Sequence, residues 1–162
     1  MSHEWCPQPV VAFLDTDDAE AYVVGTGPND AAVVVSVGLL DRLGRVELEG
    51  LLAHALVRIR HRDTVPATLA AALGAVAAPV SWAVRSPESF TAADADACQL
   101  TRYPPGLIGA LQAVAPASAA STGERTVELT PQRVSRQAHL AIAPVGDDPT
   151  IHPPLHERIA LL

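Results

Sequence analysis

The chain contains no lysine: all 11 of its basic side chains are arginine, set against 18 acidic ones, for a net charge of −7. An acidic balance of this size repels phosphate backbones and excludes nucleic acid as the expected partner. The absence of lysine reads as coding bias or adaptation to a salty cytoplasm, not as a site. Aromatic residues are scarce, at 4% of the chain, so Ala and Val must supply most of the core. There are two cysteines, Cys6 and Cys98, with no CxxC pair and no zinc-finger spacing. Free thiols of a cytosolic protein are expected. The first residues, MSHEWCPQP, have no basic start and no apolar stretch, so no signal peptide is expected. Charge is absent from one long run: none occurs between Asp63 and Arg85.

A chain of 162 residues fits one domain, 1–162, and can bury a real core. Pro9 to Leu14 and Ala21 to Gly25 read as strands separated by the acidic turn DTDDAE. Ala31 to Val37 is another β-branched run after the turn signal GPND. Together these predict a small antiparallel sheet, followed by a short helix over Gly38 to Leu43. Thr64 to Val84 is uncharged, and about 20 such residues suffice to cross a bilayer. Its content is mostly Ala, interrupted by Pro66, Gly74 and Pro79. Two readings stay open, an Ala-rich helix packed in the domain and a membrane-associated one. Ser89 to Arg102 reads as a helix with Phe90, Asp94 and Cys98 on one face. A further helix starts at Pro104 and Pro105, where missing N–H groups do no harm. Residues 118–136, rich in Ser, Thr, Gln and Arg, read as a loop.

The chain is organised around Leu48 to Asp63, LEGLLAHALVRIRHRD. Leu48, Leu51, Leu52, Leu56 and Ile59 recur at helical spacing and predict an apolar stripe. Glu47 and Glu49 near the start, with Arg58, Arg60, His61 and Arg62 at the end, suit the helix dipole. His54 and Arg58 are four apart and share a face. This stretch resembles the active-site helix of the HtpX-like zinc metallopeptidases, relatives of the CAAX prenyl endopeptidases. The family's pattern LExxLAHExxHxxxRD is matched at Leu48, Glu49, Leu52, Ala53, His54, Arg62 and Asp63. The resemblance extends to VAFLDT and AAVVVSVGLL before this helix, to the helix holding Asp94, and to the tail AHLAIAPVGDDPTIHPPLHERIALL.

The resemblance implies an α+β, mainly helical fold, with the small sheet packed on a zincin-like (gluzincin) helical core. It also implies that the edge of the sheet can accept an extended peptide as an added strand. The same resemblance places Ala55 where the family has its general-base Glu, Arg58 at the second His ligand, and Phe90 at the third ligand, a Glu. His54 is then the one surviving metal ligand. Asp94 is the carboxylate that orients it, and His152 and Arg158 line the former active site. A catalytic zinc needs three protein ligands and an open position for water, and that water must pass its proton to a nearby base. One imidazole holds zinc weakly. Arg58 opposes it further: two unit charges about 4 Å apart interact by about 4 kcal/mol at an effective dielectric near 20, and a divalent ion doubles that.

Substitute ligands are hard to find. His54 and His61, seven residues apart, stand about 10 Å apart along the helix axis, too far for one ion. Asp94 and Cys98 could join His54 only if Cys98 reached back two turns. His152 and His156 are four apart, but the tail resemblance favours a structural role. His3 and His139 carry no recognisable spacing.

Three functions follow, the third a membrane-surface module held by Thr64 to Val84. The first is a pseudo-peptidase with no metal cofactor, binding a protein or peptide partner or regulating an active relative. The second is a zinc-dependent endopeptidase with a non-standard ligand set, acting on membrane or misfolded proteins. Either would be cytoplasmic, at the inner membrane face if 64–84 meets lipid. For Arg58 two placements are open, solvent or the vacated metal position, where its guanidinium would pair with Asp94 while Phe90 fills the remaining space.

Overall fold

A computed structural model of the chain describes residues 8–73, 87–114, 141–142 and 153–162. Three strands come first: β1 (Val10–Leu14), β2 (Ala21–Gly27) and β3 (Asp30–Ser36). Helices follow: α1 (Val37–Leu40), α2 (Arg45–Arg60), α3 (Thr64–Leu73), α4 (Pro87–Thr101), α5 (Pro104–Val114) and α6 (Leu155–Ala160). The fold is α+β and mainly helical, with a small sheet, as the sequence implies.

The sheet differs from expectation in one respect. Its order is β1-β3-β2, and β2 pairs with β3 antiparallel, but β1 pairs with β3 parallel, with Val10 opposite Ala32 and Leu14 opposite Ser36. The reason lies in the connections. A two-residue turn at Gly27 to Asp30 makes the β2–β3 hairpin, so β1 must lie on the far side of β3. The acidic turn that follows it then crosses the sheet to start β2. Its return is fixed by Ser36, whose Oγ accepts from Glu20 N–H at 2.9 Å and from Leu39 N–H at 3.1 Å. The second of these bonds caps α1.

The two outer strands differ sharply. β2 begins with Ala21, Tyr22 and Val23, all buried. β1 is exposed along almost its whole length, with Val10 and Phe13 each 68% exposed. Its apolar composition is that of a strand, but among the described residues it forms an open edge.

α2 is the centre of the molecule. Glu47 Oε2 accepts the Gly44 N–H at 2.6 Å and closes the first turn, while Arg58 and Arg60 stand in the last. The helix is buried on more sides than an amphipathic stripe would be: Gly50, Leu51, Ala53, His54, Ala55, Val57, Arg58 and Ile59 are all enclosed. Small residues make this possible. A Cβ on Gly50 would lie 2.6 Å from the Leu107 backbone nitrogen, so α5 crosses α2 at backbone contact distance. Of the predicted stripe, Leu51 and Ile59 are fully buried. Leu48, Leu52 and Leu56 are only partly covered and line an open groove with Leu100 of α4.

Within the uncharged run, α3 covers Thr64–Leu73, and the rest of 64–84 lies outside the described residues. Among the described residues, no helix is long and apolar enough to cross a membrane. The expected loop 118–136 also lies outside them.

Candidate functional site

α2 and α4 run antiparallel to each other, with their site residues in two facing layers. His54 faces Asp94, with its Nδ1 2.8 Å from Asp94 Oδ1. One turn further on, Arg58 faces Phe90, with the guanidinium carbon 4.5 Å from the ring centroid. The i, i+4 spacing on each helix produces this arrangement. All four residues are buried.

The chain's last helix completes the cluster. Arg158 of α6 is wholly buried and binds Asp94 in a fork: Nε to Oδ2 at 2.7 Å and Nη2 to Oδ1 at 2.7 Å. Its remaining terminal nitrogen donates to the Ile142 carbonyl at 2.8 Å. Its guanidinium also stands over the Phe90 ring, 5.5 Å from the centroid. A bidentate arginine with every arm engaged is among the stronger buried interactions available to a carboxylate.

The expected ion pair between Arg58 and Asp94 is therefore corrected, as is the placement of Arg58 in solvent. Arg58 is 3% exposed, so it does turn inward. It stacks on Phe90 and donates from Nη1 to the Ala141 carbonyl at 3.3 Å, while the carboxylate of Asp94 is taken by Arg158 and His54. Geometry decides this. The flat guanidinium of Arg158 meets both carboxylate oxygens at once, and Arg58, opposite Phe90, is one turn away from Asp94. Arg158 was legible from the sequence only as a residue lining the site. That it is the partner of Asp94 had no local signal, since the two are 64 positions apart.

The electrostatics follow from burial. Burial pushes His54 down to about 4, and Arg158 and Arg58 push the same way; the contact with Asp94 opposes them without prevailing. His54 is thus neutral at pH 7. Its Nδ1 approaches Asp94 off the direction of a ring N–H, and its Nε2 is buried with no hydrogen-bond partner among the described residues. For Asp94, burial alone would raise the pKa, but the Arg158 hydrogen bonds and the His54 contact hold it down at about 2. Burial lowers Arg58 to about 10, so it remains charged at neutral pH, with Asp63 supporting the charged form.

These shifts predict acid sensitivity. His54 titrates lower in the folded chain than in the unfolded one, so below about pH 6.5 the unfolded state binds more protons. Stability should then decline from pH 6.5 toward pH 4 by on the order of 3 kcal/mol from this residue alone. Asp94 adds a further loss below pH 4. Urea midpoints at pH 7 and pH 4.5 check this; a midpoint that stays level or rises on acidification would contradict it.

The other residues named from the sequence are dispersed. Ala55 is buried in the core. Cys98 is partly buried two turns along α4, its thiol raised by burial and by Asp94. His61 pairs with Asp96 at 3.1 Å on a more exposed part of the same helix pair. His156 is exposed on α6. Cys6, His3, His139 and His152 lie outside the described residues. Among the described residues no three His, Cys, Asp or Glu side chains are placed to hold a metal ion.

Comparison with known proteins identifies the lineage. The sequence profile of peptidase family M48 matches residues 3–162, nearly the whole chain. The chain belongs to peptidase family M48. Within it the chain is HtpX-like. It is 46% identical over 74 residues to a protease HtpX homologue of Acidiphilium cryptum, covering 43% of this chain and 26% of that protein. It is 46% identical over 78 residues to one from Pyrococcus abyssi, covering 48% and 27%. The protease HtpX of Legionella pneumophila is 39% identical over 80 residues, 47% of this chain and 29% of that one. The aligned part thus amounts to about a quarter of the length of these curated relatives. No solved structure gives a significant match.

Zinc, the metal that the HtpX-like resemblance implies, can be tested against these residues. His54 Nε2 has the chemistry of a ligand, being neutral, buried and unpartnered among the described residues. The positions beside it do not. A guanidinium and a phenyl ring, stacked on each other, stand where the resemblance places two more donors. Among the described residues the donor set does not fit a catalytic zinc.

Proposed function

We propose that this chain is a non-catalytic member of peptidase family M48, a pseudo-peptidase that serves in protein binding or regulation. The stacked pair Arg58–Phe90 carries this reading. It fills the place of two metal donors with a fixed positive charge and an apolar ring. Where the resemblance puts the base that would activate water, the residue after His54, stands Ala55. What remains is a buried cluster, in which Asp94 is neutralised by Arg158 and both are shut away from water.

The binding half of the reading draws support from β1. It is an open sheet edge of apolar side chains, and an extended, apolar segment of a partner protein could add to it as a further strand.

Incubation of the purified chain with an unfolded protein such as casein, with zinc supplied, tests the proposal. The expected result is no cleavage above a blank over many hours. Cleavage that a chelator abolishes and zinc restores would overturn it in favour of a zinc endopeptidase with a non-standard ligand set.

A further inference from the structure

Along a strand in an antiparallel pair, peptide groups turn alternately toward the partner and away from it. In β2 the Gly25 N–H donates to Thr68 Oγ1 of α3 at 3.0 Å, and the Ala21 carbonyl accepts from Ile142 N–H at 2.9 Å. Ala21, Val23 and Gly25 therefore present their peptide groups to the edge away from β3. Any extended peptide joining the sheet beside β2 would have to bond to these groups. The chain itself occupies both ends of the row. At the Gly25 end stands α3. At the Ala21 end Ala141 forms an antiparallel bridge with Tyr22, and Ala141 and Ile142 are both buried.

Two guanidinium groups hold that segment in place. Arg58 of α2 donates to the Ala141 carbonyl at 3.3 Å, and Arg158 of α6 to the Ile142 carbonyl at 2.8 Å. They reach two consecutive carbonyls, and both stand over the Phe90 ring. Arg158 is already fixed by Asp94, so it would hold its carbonyl whatever stood at position 58. Arg58 supplies the second point of attachment, and two points fix a strand's position where one lets it pivot.

We propose that Arg58 is a latch: it holds the chain's own Ala141–Ile142 segment on the outer edge of β2 and closes that edge to extended peptides. The inference deepens the non-catalytic reading and rests on it, since a guanidinium and not a metal ligand stands at position 58. The substitution that unfits the site for zinc also shuts the neighbouring strand edge, which leaves β1 as the open one. Arg58 acts by positioning backbone, so its loss should loosen one edge without loosening the helical core.

Hydrogen–deuterium exchange on the full chain tests this, with Arg58→Met and Arg58→Lys compared with the wild type. Met keeps apolar contact with Phe90 but cannot donate; Lys restores a donor. Peptides covering Ala21–Gly25 and Ala141–Ile142 should exchange about tenfold faster in Arg58→Met, with part of the protection regained in Arg58→Lys. Peptides from α2 and α5 should match the wild type. Unchanged exchange at both edge segments would overturn the latch. So would acceleration spread equally through α2 and α5, which would make Arg58 a general core residue. The readout does not depend on activity: chelator-sensitive cleavage by the wild type would end the non-catalytic reading and leave the exchange pattern to decide on the latch.

Discussion

Replacing Asp94 by Ala is expected to cost about 3–5 kcal/mol, a large share of the roughly 5–15 kcal/mol that holds a typical domain together. The loss is not that of a surface ion pair, which would be within about 1 kcal/mol. Asp94 is buried and takes both arms of a wholly buried Arg158. Without the carboxylate, that guanidinium keeps its desolvation penalty and loses its counter-charge, with Arg58 nearby adding a second positive charge. The companion result separates pairing from packing. Asp94→Leu combined with Arg158→Met removes both charges, and should recover most of the loss, since apolar replacement of a whole buried pair is often neutral. Urea denaturation of the single and double variants measures both. A single variant within 1 kcal/mol of the wild type would contradict the account of the cluster.

Restoring donors at positions 58 and 90 should have the second large effect. Arg58→His together with Phe90→Glu is expected to raise zinc content from near zero to about one ion per chain. The geometry supports this because the scaffold is kept. Arg58 and Phe90 face each other in the layer next to His54 and Asp94, on the same two antiparallel helices. The double variant removes the repelling charge and supplies a second imidazole and a carboxylate beside His54. It should bind zinc without cleaving protein, because Ala55 still provides no base. Zinc content and casein cleavage, measured on one preparation, check both halves. A double variant that folds but takes up no zinc would show that more than these two residues excludes the metal.

Local patterns made much of this fold readable. The strands at Val10, Ala21 and Asp30 and the helices around His54, Asp94 and Leu107 lie where β-branched runs and three- and four-residue spacing put them. The parallel placement of β1 was not readable. Strand order depends on which partner the hairpin leaves free, and no residue in VVAFL encodes that. The extent of α2's burial was also hidden. A stripe drawn through leucines overlooks Gly50, Ala53 and Ala55, whose small size is what lets neighbouring elements close in.

In the site, spacing alone paired His54 with Arg58 and Phe90 with Asp94 on their helices. Which residue neutralises Asp94 was decided across the fold. Arg158 wins that place because α6 delivers a planar fork to both oxygens, while Arg58 sits one turn away, opposite Phe90. The role of Ala141 and Ile142 rests on their carbonyls and one N–H, groups that every residue carries, so sequence could not single them out.

Zinc per chain, determined by elemental analysis of untagged protein purified with zinc supplied throughout, separates a metal-free cluster from a rebuilt metal site. Well under a tenth of an ion per chain is expected, because a single buried imidazole next to a fixed guanidinium holds zinc weakly. One tightly held zinc per chain, surviving dialysis, would contradict it and show that His54 has found ligands elsewhere in the chain.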